Sequence, residues 1–278
     1  MRKNLYSLFL FQWIRWPNFF FDILFIVVYP FYKMTHQERA WGRVKRLLKE
    51  TSLDSKTTPR AVFYSLYKNA IFSYRFLLGH KKTIQNVIYE NENLIQDLVK
   101  NNTPIVAMSI HQGPFEILHR SLCRYHHKVF LLTNPFPSSG LTEALKKIRS
   151  HAHLEEHSPD HTGEVLKKLI REKGILAILV DQAKSSKGNL VSLCHKDYNL
   201  FLRLPIKANQ MGAAIITFRT FSIKDQVIVR FEKVYSPKTE ESLIAKGFSK
   251  EMESWIEEHP EQWTWNYHKN FKVDDYGV

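Results

Sequence analysis

A histidine and a glutamate five residues apart, His111 and Glu116 in the stretch TPIVAMSIHQGPFE (103–116), are the side chains of this sequence best placed to do chemistry. The apolar run before His111, cut off by Gly113-Pro114, reads as a strand buried within a sheet and stopped by a turn. Pro114 suits the first position of a following helix, FEILHRSL, where its missing N–H costs nothing. His111 then stands at the carboxyl end of a strand, where open α/β sheets collect their ligands. Glu116 falls about one turn into the helix, within reach of one imidazole nitrogen. A carboxylate there fixes the ring tautomer and stabilises the imidazolium, leaving the other nitrogen to take a proton from a hydroxyl. That is a general base with an orienter, and it needs no enzyme nucleophile. The structural alternative is a histidine that merely caps or packs at a strand–helix junction.

The elements that must position this pair alternate along the body of the chain. Two helices are expected between about 55 and 100, carried by YSLYKNAIFSYRFLL and TIQNVIYENENLIQDLVK, with Asn101-Asn102 ending the second. Strands follow at 128–133 (KVFLLT) and 175–181 (ILAILVD), the latter again ending in a polar residue, Asp181. Between them lie a short basic helix from Leu141 to Arg149 and an amphipathic helix from Glu164 to Lys173 stopped by Gly174. AAIITFRTF and QVIVRFEKV read as later strands joined at Lys224-Asp225, and a final helix spans roughly Glu240 to Glu258. The expected fold is α/β, with a mixed central sheet flanked by helices, because the last two strands sit close enough for a hairpin.

With 278 residues, 44% hydrophobic, and a mean hydropathy of −0.31, the chain is globular, neither polytopic nor disordered. A formal net charge of +13 points to an anionic partner, and no nucleic-acid motif accompanies it. Only two cysteines occur, Cys123 and Cys194, with no Cys-x-x-Cys, which favours free thiols in a reducing compartment. His151, His153, His157 and His161 lie near Glu155, Glu156 and Asp160, but Ser158-Pro159 breaks the helix that would align them. No metal site is expected there.

Residues 4–32 are far more aromatic and aliphatic than the remainder. Arg15, Pro17, Asn18 and Asp22 interrupt them, and the longest unbroken apolar piece is well short of the roughly 20 residues a span requires. Trp13, Trp16 and Arg15 suit a membrane–water boundary, and Arg39, Arg43, Lys45, Arg46 and Lys49 suit anionic headgroups. The expected organisation is a membrane anchor over 1–35 and a catalytic domain over 36–278, on the cytoplasmic side. A helical hairpin buried in a soluble domain is the alternative.

Three pieces in order carry a resemblance: His111-Gln112-Gly113-Pro114-Phe115-Glu116, Asp181-Gln182-Ala183-Lys184-Ser185-Ser186-Lys187-Gly188, and Pro260-Glu261-Gln262-Trp263-Thr264-Trp265. They resemble the His-x4-Glu box, the Asp-Gln…Lys-Gly segment and the Pro-Glu-Gln-aromatic-x-Trp segment of the late acyltransferases of lipid A biosynthesis, within the lysophospholipid acyltransferase group. Asn134-Pro135 and Arg149 fall roughly where that family has an Asn-Pro turn and a downstream Arg. Asn189–His195 and Asn266–Phe271 depart from the family's pattern, which suggests an altered glycolipid acceptor. The resemblance implies a glycerolipid acyltransferase-like fold at the inner membrane. It implies transfer of an acyl chain from acyl-carrier protein, or acyl-CoA, to a lipid hydroxyl, with the thioester as co-substrate and no cofactor. His111 would be the base and Glu116 its orienter. Backbone amides near Phe115 would face the oxyanion. Arg149, Asp181, Gln182, Lys184 and Lys187 would hold the glycolipid acceptor or the donor's phosphopantetheine. Trp263 and Trp265 read mainly as core aromatics. A glycerophospholipid acyltransferase and a non-catalytic membrane protein on the same scaffold are the rival readings.

Overall fold

Short runs of β-branched and aromatic residues assemble into one seven-stranded sheet in the computed structural model of the chain, which describes residues 16–134, 139–182 and 188–265. Its strands are β1 (Val87–Glu90), β2 (Ile105–Ser109), β3 (Val129–Leu132), β4 (Leu154–His157), β5 (Ile175–Leu179), β8 (Ala214–Ile223) and β9 (Gln226–Tyr235). They lie in the order β1-β9-β8-β2-β5-β3-β4. Every pairing is parallel except the β8–β9 hairpin, so the sheet is mixed, as the sequence implies. A separate antiparallel hairpin is formed by β6 (Asn189–Leu193) and β7 (Lys196–Leu200).

Helices cover both faces. They are α1 (Asn18–Thr35), α2 (Gly42–Glu50), α3 (Pro59–Leu77), α4 (Lys81–Gln85), α5 (Asn93–Lys100), α6 (Leu118–Leu122), α7 (Ser139–Arg149), α8 (Thr162–Glu172), α9 (Arg203–Gln210) and α10 (Glu241–Glu258). All five β2 residues are buried, which is why this strand reads as an unbroken apolar run and not as an alternation. Val106 and Met108 join a core with Val165, Leu166, Phe248 and Trp255, whereas Ile105 and Ala107 join another with Phe76, Leu118 and Leu122. At roughly 1.5–3 kcal/mol per fully buried aliphatic side chain, this two-sided packing fixes the strand that presents His111.

The structure departs from the sequence reading in four places. TIQNVIYENENLIQDLVK is not one helix, because Val87–Glu90 leaves to pair with β9 and Asn91 turns the chain back with φ of 57°. The histidine-rich stretch contains the edge strand β4, paired with β3. The hairpin β6–β7 and the helix α9 lie where no element is apparent from periodicity. The segment after Pro114 begins with a 3-10 turn, Phe115–Ile117, before the five residues of α6.

The amino-terminal helix α1 packs Phe21 and Phe25 inward, Phe25 against Tyr64 and Tyr67 of α3. Its polar interruptions are consumed by α3. Asp22 accepts from Lys68 Nζ at 2.8 Å and Tyr64 Oη at 2.9 Å, and Arg75 donates to Asn18 and to the Trp16 carbonyl. The opposite face leaves Phe19, Ile23, Ile26, Val27, Phe31 and Met34 exposed, Met34 at 75%. No single described helix is long and apolar enough to cross a membrane. Asn18–Thr35 and Arg39–Glu50, meeting at 94°, reach that length and composition only together.

Candidate active site

β2 and β5 lie side by side and in register, Ser109 opposite Leu179, and the Val180 N–H still bonds the Ser109 carbonyl at 3.0 Å. The residues two positions beyond those strand ends, His111 and Asp181, therefore emerge together at the carboxyl edge of the sheet. Asp181 is fully buried and accepts from His111 Nδ1 at 2.6 Å on Oδ1 and from the His111 backbone N–H at 3.0 Å on Oδ2. With Nδ1–H donated to a carboxylate, Nε2 carries the lone pair and is the nitrogen able to take a proton. The ring keeps 17% of its side-chain surface open, enough for a substrate atom to reach, and the Phe115 ring meets it edge-on at 4.8 Å.

Glu116 is the expectation that the geometry revises. Its carboxylate does not hold His111; it receives Arg149 in a fork, Nε to Oε2 at 3.0 Å and Nη2 to Oε1 at 2.7 Å. A planar guanidinium matches two carboxylate oxygens better than an imidazole can, so Arg149 takes both. Burial alone would raise the Glu116 carboxyl, but the bonds and charge of Arg149 hold it below its ordinary value. Arg149 itself is 7% exposed, with Glu156 at 3.8 Å on its other side, so it is an internal cation and not an open phosphate clamp. His119, one turn past Glu116, is buried, and that burial pushes its imidazole down to about 4, leaving it neutral at physiological pH.

Of the other expected substrate contacts, Gln182 is exposed beside the site, whereas Lys184 and Lys187 lie outside the described residues. Asn266–Phe271 also lie outside them. The histidine-rich stretch is spoken for differently: Glu155 pairs with Lys128 and Lys168, both at 3.3 Å, and His157 faces Glu155 at 3.5 Å. Among the described residues no three His, Cys, Asp or Glu side chains converge as metal ligands. Cys123 and Cys194 are buried free thiols.

The turn that carries His111 is fixed by its neighbours. Gly113 adopts φ of 58°, and a Cβ there would stand 2.4 Å from the Thr220 carbonyl, so both the conformation and the space demand glycine. Gln112 is buried, its side-chain amide donating to the Trp255 carbonyl at 2.6 Å. The carboxyl-terminal segment closes over this turn. The Gly113 N–H bonds the Gln262 carbonyl at 3.0 Å, and the Thr264 N–H bonds the His111 carbonyl at 3.1 Å. Trp263 and Trp265 are fully buried, as expected of core aromatics, but Trp263 also donates its indole N–H to Asp181 Oδ2 at 2.9 Å.

Two residues of this constellation were not legible as partners of His111: Asp181 and Trp263. The polar residue ending the 175–181 strand was the available signal for Asp181. Nothing in the sequence says that β5 inserts between β2 and β3, and that insertion is what brings the two strand ends together.

Compared with known proteins, the chain finds no match among curated sequences. The model of the family described as "Bacterial lipid A biosynthesis acyltransferase" matches residues 71–273, a span that contains β2, β5, the Glu116–Arg149 pair and the 260–265 segment. The chain belongs to the bacterial lipid A biosynthesis acyltransferase family and is an enzyme of acyl transfer to a lipid A precursor.

Proposed function

We propose that the enzyme moves a fatty acyl chain from the thioester of acyl-carrier protein, or of acyl-CoA, to a hydroxyl of a lipid A precursor or related glycolipid, with His111 as general base and Asp181 as its orienter. The acceptor O–H gives its proton to His111 Nε2 as the oxygen attacks the thioester carbonyl. Collapse of the tetrahedral intermediate breaks the C–S bond, and the imidazolium returns the proton to the departing thiolate, so the enzyme ends as it began. The observation that carries this reading is the 2.6 Å bond between His111 Nδ1 and the buried Asp181 carboxylate at the sheet's carboxyl edge. Glu116 acts one step away, holding Arg149 in the fork described above. Gln182, together with Lys184 and Lys187, which follow Asp181 in the sequence, contacts the acceptor's sugar phosphates or the donor's phosphopantetheine.

The test is to supply the protein, in membranes, with acyl-carrier protein and acyl-CoA of mixed chain lengths and with lipid A precursors, and to weigh the products. A precursor heavier by one acyl chain is expected, and its mass reports the chain length. Acylation of lysophospholipid alone would overturn the acceptor; transfer from one thioester and not the other selects the donor.

The same reading places α1 in the plane of the cytoplasmic leaflet of the inner membrane. Its polar groups are spent on α3 and its outer face is apolar. The exposed cations Arg39, Lys45, Arg46 and Lys49 follow it, suited to anionic headgroups. With Ile23→Asp and Val27→Asp together, co-flotation with anionic vesicles is expected to fall by on the order of a hundredfold, since each buried side chain contributes roughly 1.5–3 kcal/mol. Undiminished flotation of that variant would remove α1 from the contact.

A further inference from the structure

We propose that Trp263 is a positioning residue of the base: its indole N–H locks the carboxylate that holds His111, so the carboxyl-terminal 260–265 segment sets the alignment of the imidazole. The inference rests on His111 being the general base and goes beyond it in assigning what keeps that base in register. A buried indole needs an acceptor, and in this segment the two tryptophans use theirs differently. Trp265 donates to the Pro260 carbonyl at 2.6 Å, a local closure of its own turn. Trp263 reaches instead across to Asp181 Oδ2, the oxygen that already accepts the His111 backbone N–H. Two donors on Oδ2 fix the rotation of the carboxyl group and turn Oδ1 squarely to Nδ1. Bonds to an ionised acceptor are roughly twice as strong as neutral ones, which makes this a rigid brace.

The backbone repeats the connection. Gln112 and Trp263 form an antiparallel bridge, and the Gln262 side chain pins the same segment to Ser222, accepting from its N–H at 2.7 Å and donating to its carbonyl at 2.8 Å. Among the described residues, the groups facing His111 are few in kind. Asp181 faces it from the end of β5, and Glu116, tied to Arg149, faces it from the turn after Pro114. Tyr198 of β7 gives its hydroxyl to the Asp181 carbonyl, and the Phe115 ring closes the side. A carboxylate that loses one N–H donor concentrates its charge toward the imidazole and favours the imidazolium.

The experiment compares Trp263→Phe, which keeps a large ring and deletes the N–H, with Trp265→Phe, which deletes the same group where it meets only a carbonyl. In Trp263→Phe, kcat is expected to fall on the order of tenfold with KM unchanged, and the acidic limb of the pH–rate profile to move to higher pH. Ring-15N titration of His111, assigned by its loss in His111→Asn, should move the same way. This readout needs no turnover, so it stands even if the donor or acceptor proposed above is wrong. Trp265→Phe should leave the limb and the titration in place. Should Trp263→Phe not fold, the indole N–H resonance of Trp263 in the unaltered protein is expected to move as His111 titrates, while that of Trp265 stays in place. A Trp263→Phe enzyme whose limb and His111 titration are unmoved, a Trp265→Phe enzyme that shifts both equally, or a Trp263 indole resonance indifferent to His111 titration overturns the proposal.

Discussion

Asp181→Asn is expected to slow acyl transfer by on the order of 10⁴, an effect set by which ring nitrogen carries the proton. Among the described residues, His111 Nδ1 donates to Oδ1 of this carboxylate, and the His111 backbone and Trp263 indole N–H groups donate to Oδ2. An asparagine has one oxygen and one NH₂ to offer them. Placing the NH₂ at the Oδ2 position sets it against two N–H groups that cannot rotate away. Placing it at the Oδ1 position satisfies both, but forces His111 Nδ1 to accept, which moves the ring proton to Nε2. The base then presents a hydrogen where it must present a lone pair. The second arrangement leaves fewer buried donors unpaired and wins, so the fold survives and the chemistry stops. His111→Ala should lose a comparable factor, and the double variant should be no worse than either single one, since the two residues act as a unit. Single-turnover rates measure all three. Asp181→Asn within tenfold of wild type would contradict the assignment.

Arg149→Met is expected to cost about 3 kcal/mol of stability at neutral pH, toward the lower end of what breaking a buried ion pair costs. The lower end applies because the Glu116 side chain keeps 31% of its surface exposed and can recover some hydration. Methionine fills the space of the arginine stem, so the loss reports the stranded Glu116 carboxylate and, at 3.8 Å, the weakened hold on Glu156. The sign of the pH dependence follows from Glu116. Burial pushes its carboxyl up, yet Arg149 holds it below its ordinary 4.5, so its contribution is complete above that value and fades as the pH falls through the folded-state value. The gap between wild type and Arg149→Met should thus be largest at pH 7 and shrink in acid. Adding Glu116→Gln to Arg149→Met should recover part of the loss. Urea midpoints at pH 7.5 and 4 provide the check, and equal gaps at both would show that the loss does not come from the ionised Glu116 carboxylate.

The fold was legible wherever burial on both faces wrote itself into composition, as in Ile105–Ser109 and Ile175–Leu179. It was less so at the edge, where Val87–Glu90 looks helical in its surroundings and becomes a strand only because β9 offers a parallel partner. The position of His111 was legible because the apolar run of β2 ends just before it and Gly113-Pro114 stops the strand. Its orienter was not. Chain proximity favours Glu116, whereas sheet order supplies Asp181, and sheet order is a property of long-range packing that local pattern does not encode. Glu116 was drawn away by Arg149, whose forked geometry competes better for a carboxylate than an imidazole does.

The closure of the 260–265 segment over the His111 turn also orders events in time. Synthesis delivers α1 first, then β2 with its histidine, then β5 with Asp181, and only after more than half the chain has followed His111 does the indole that steadies them leave the ribosome. Folding that keeps pace with translation can therefore pack α1 onto α3 while the His111–Asp181 pair is still unbraced.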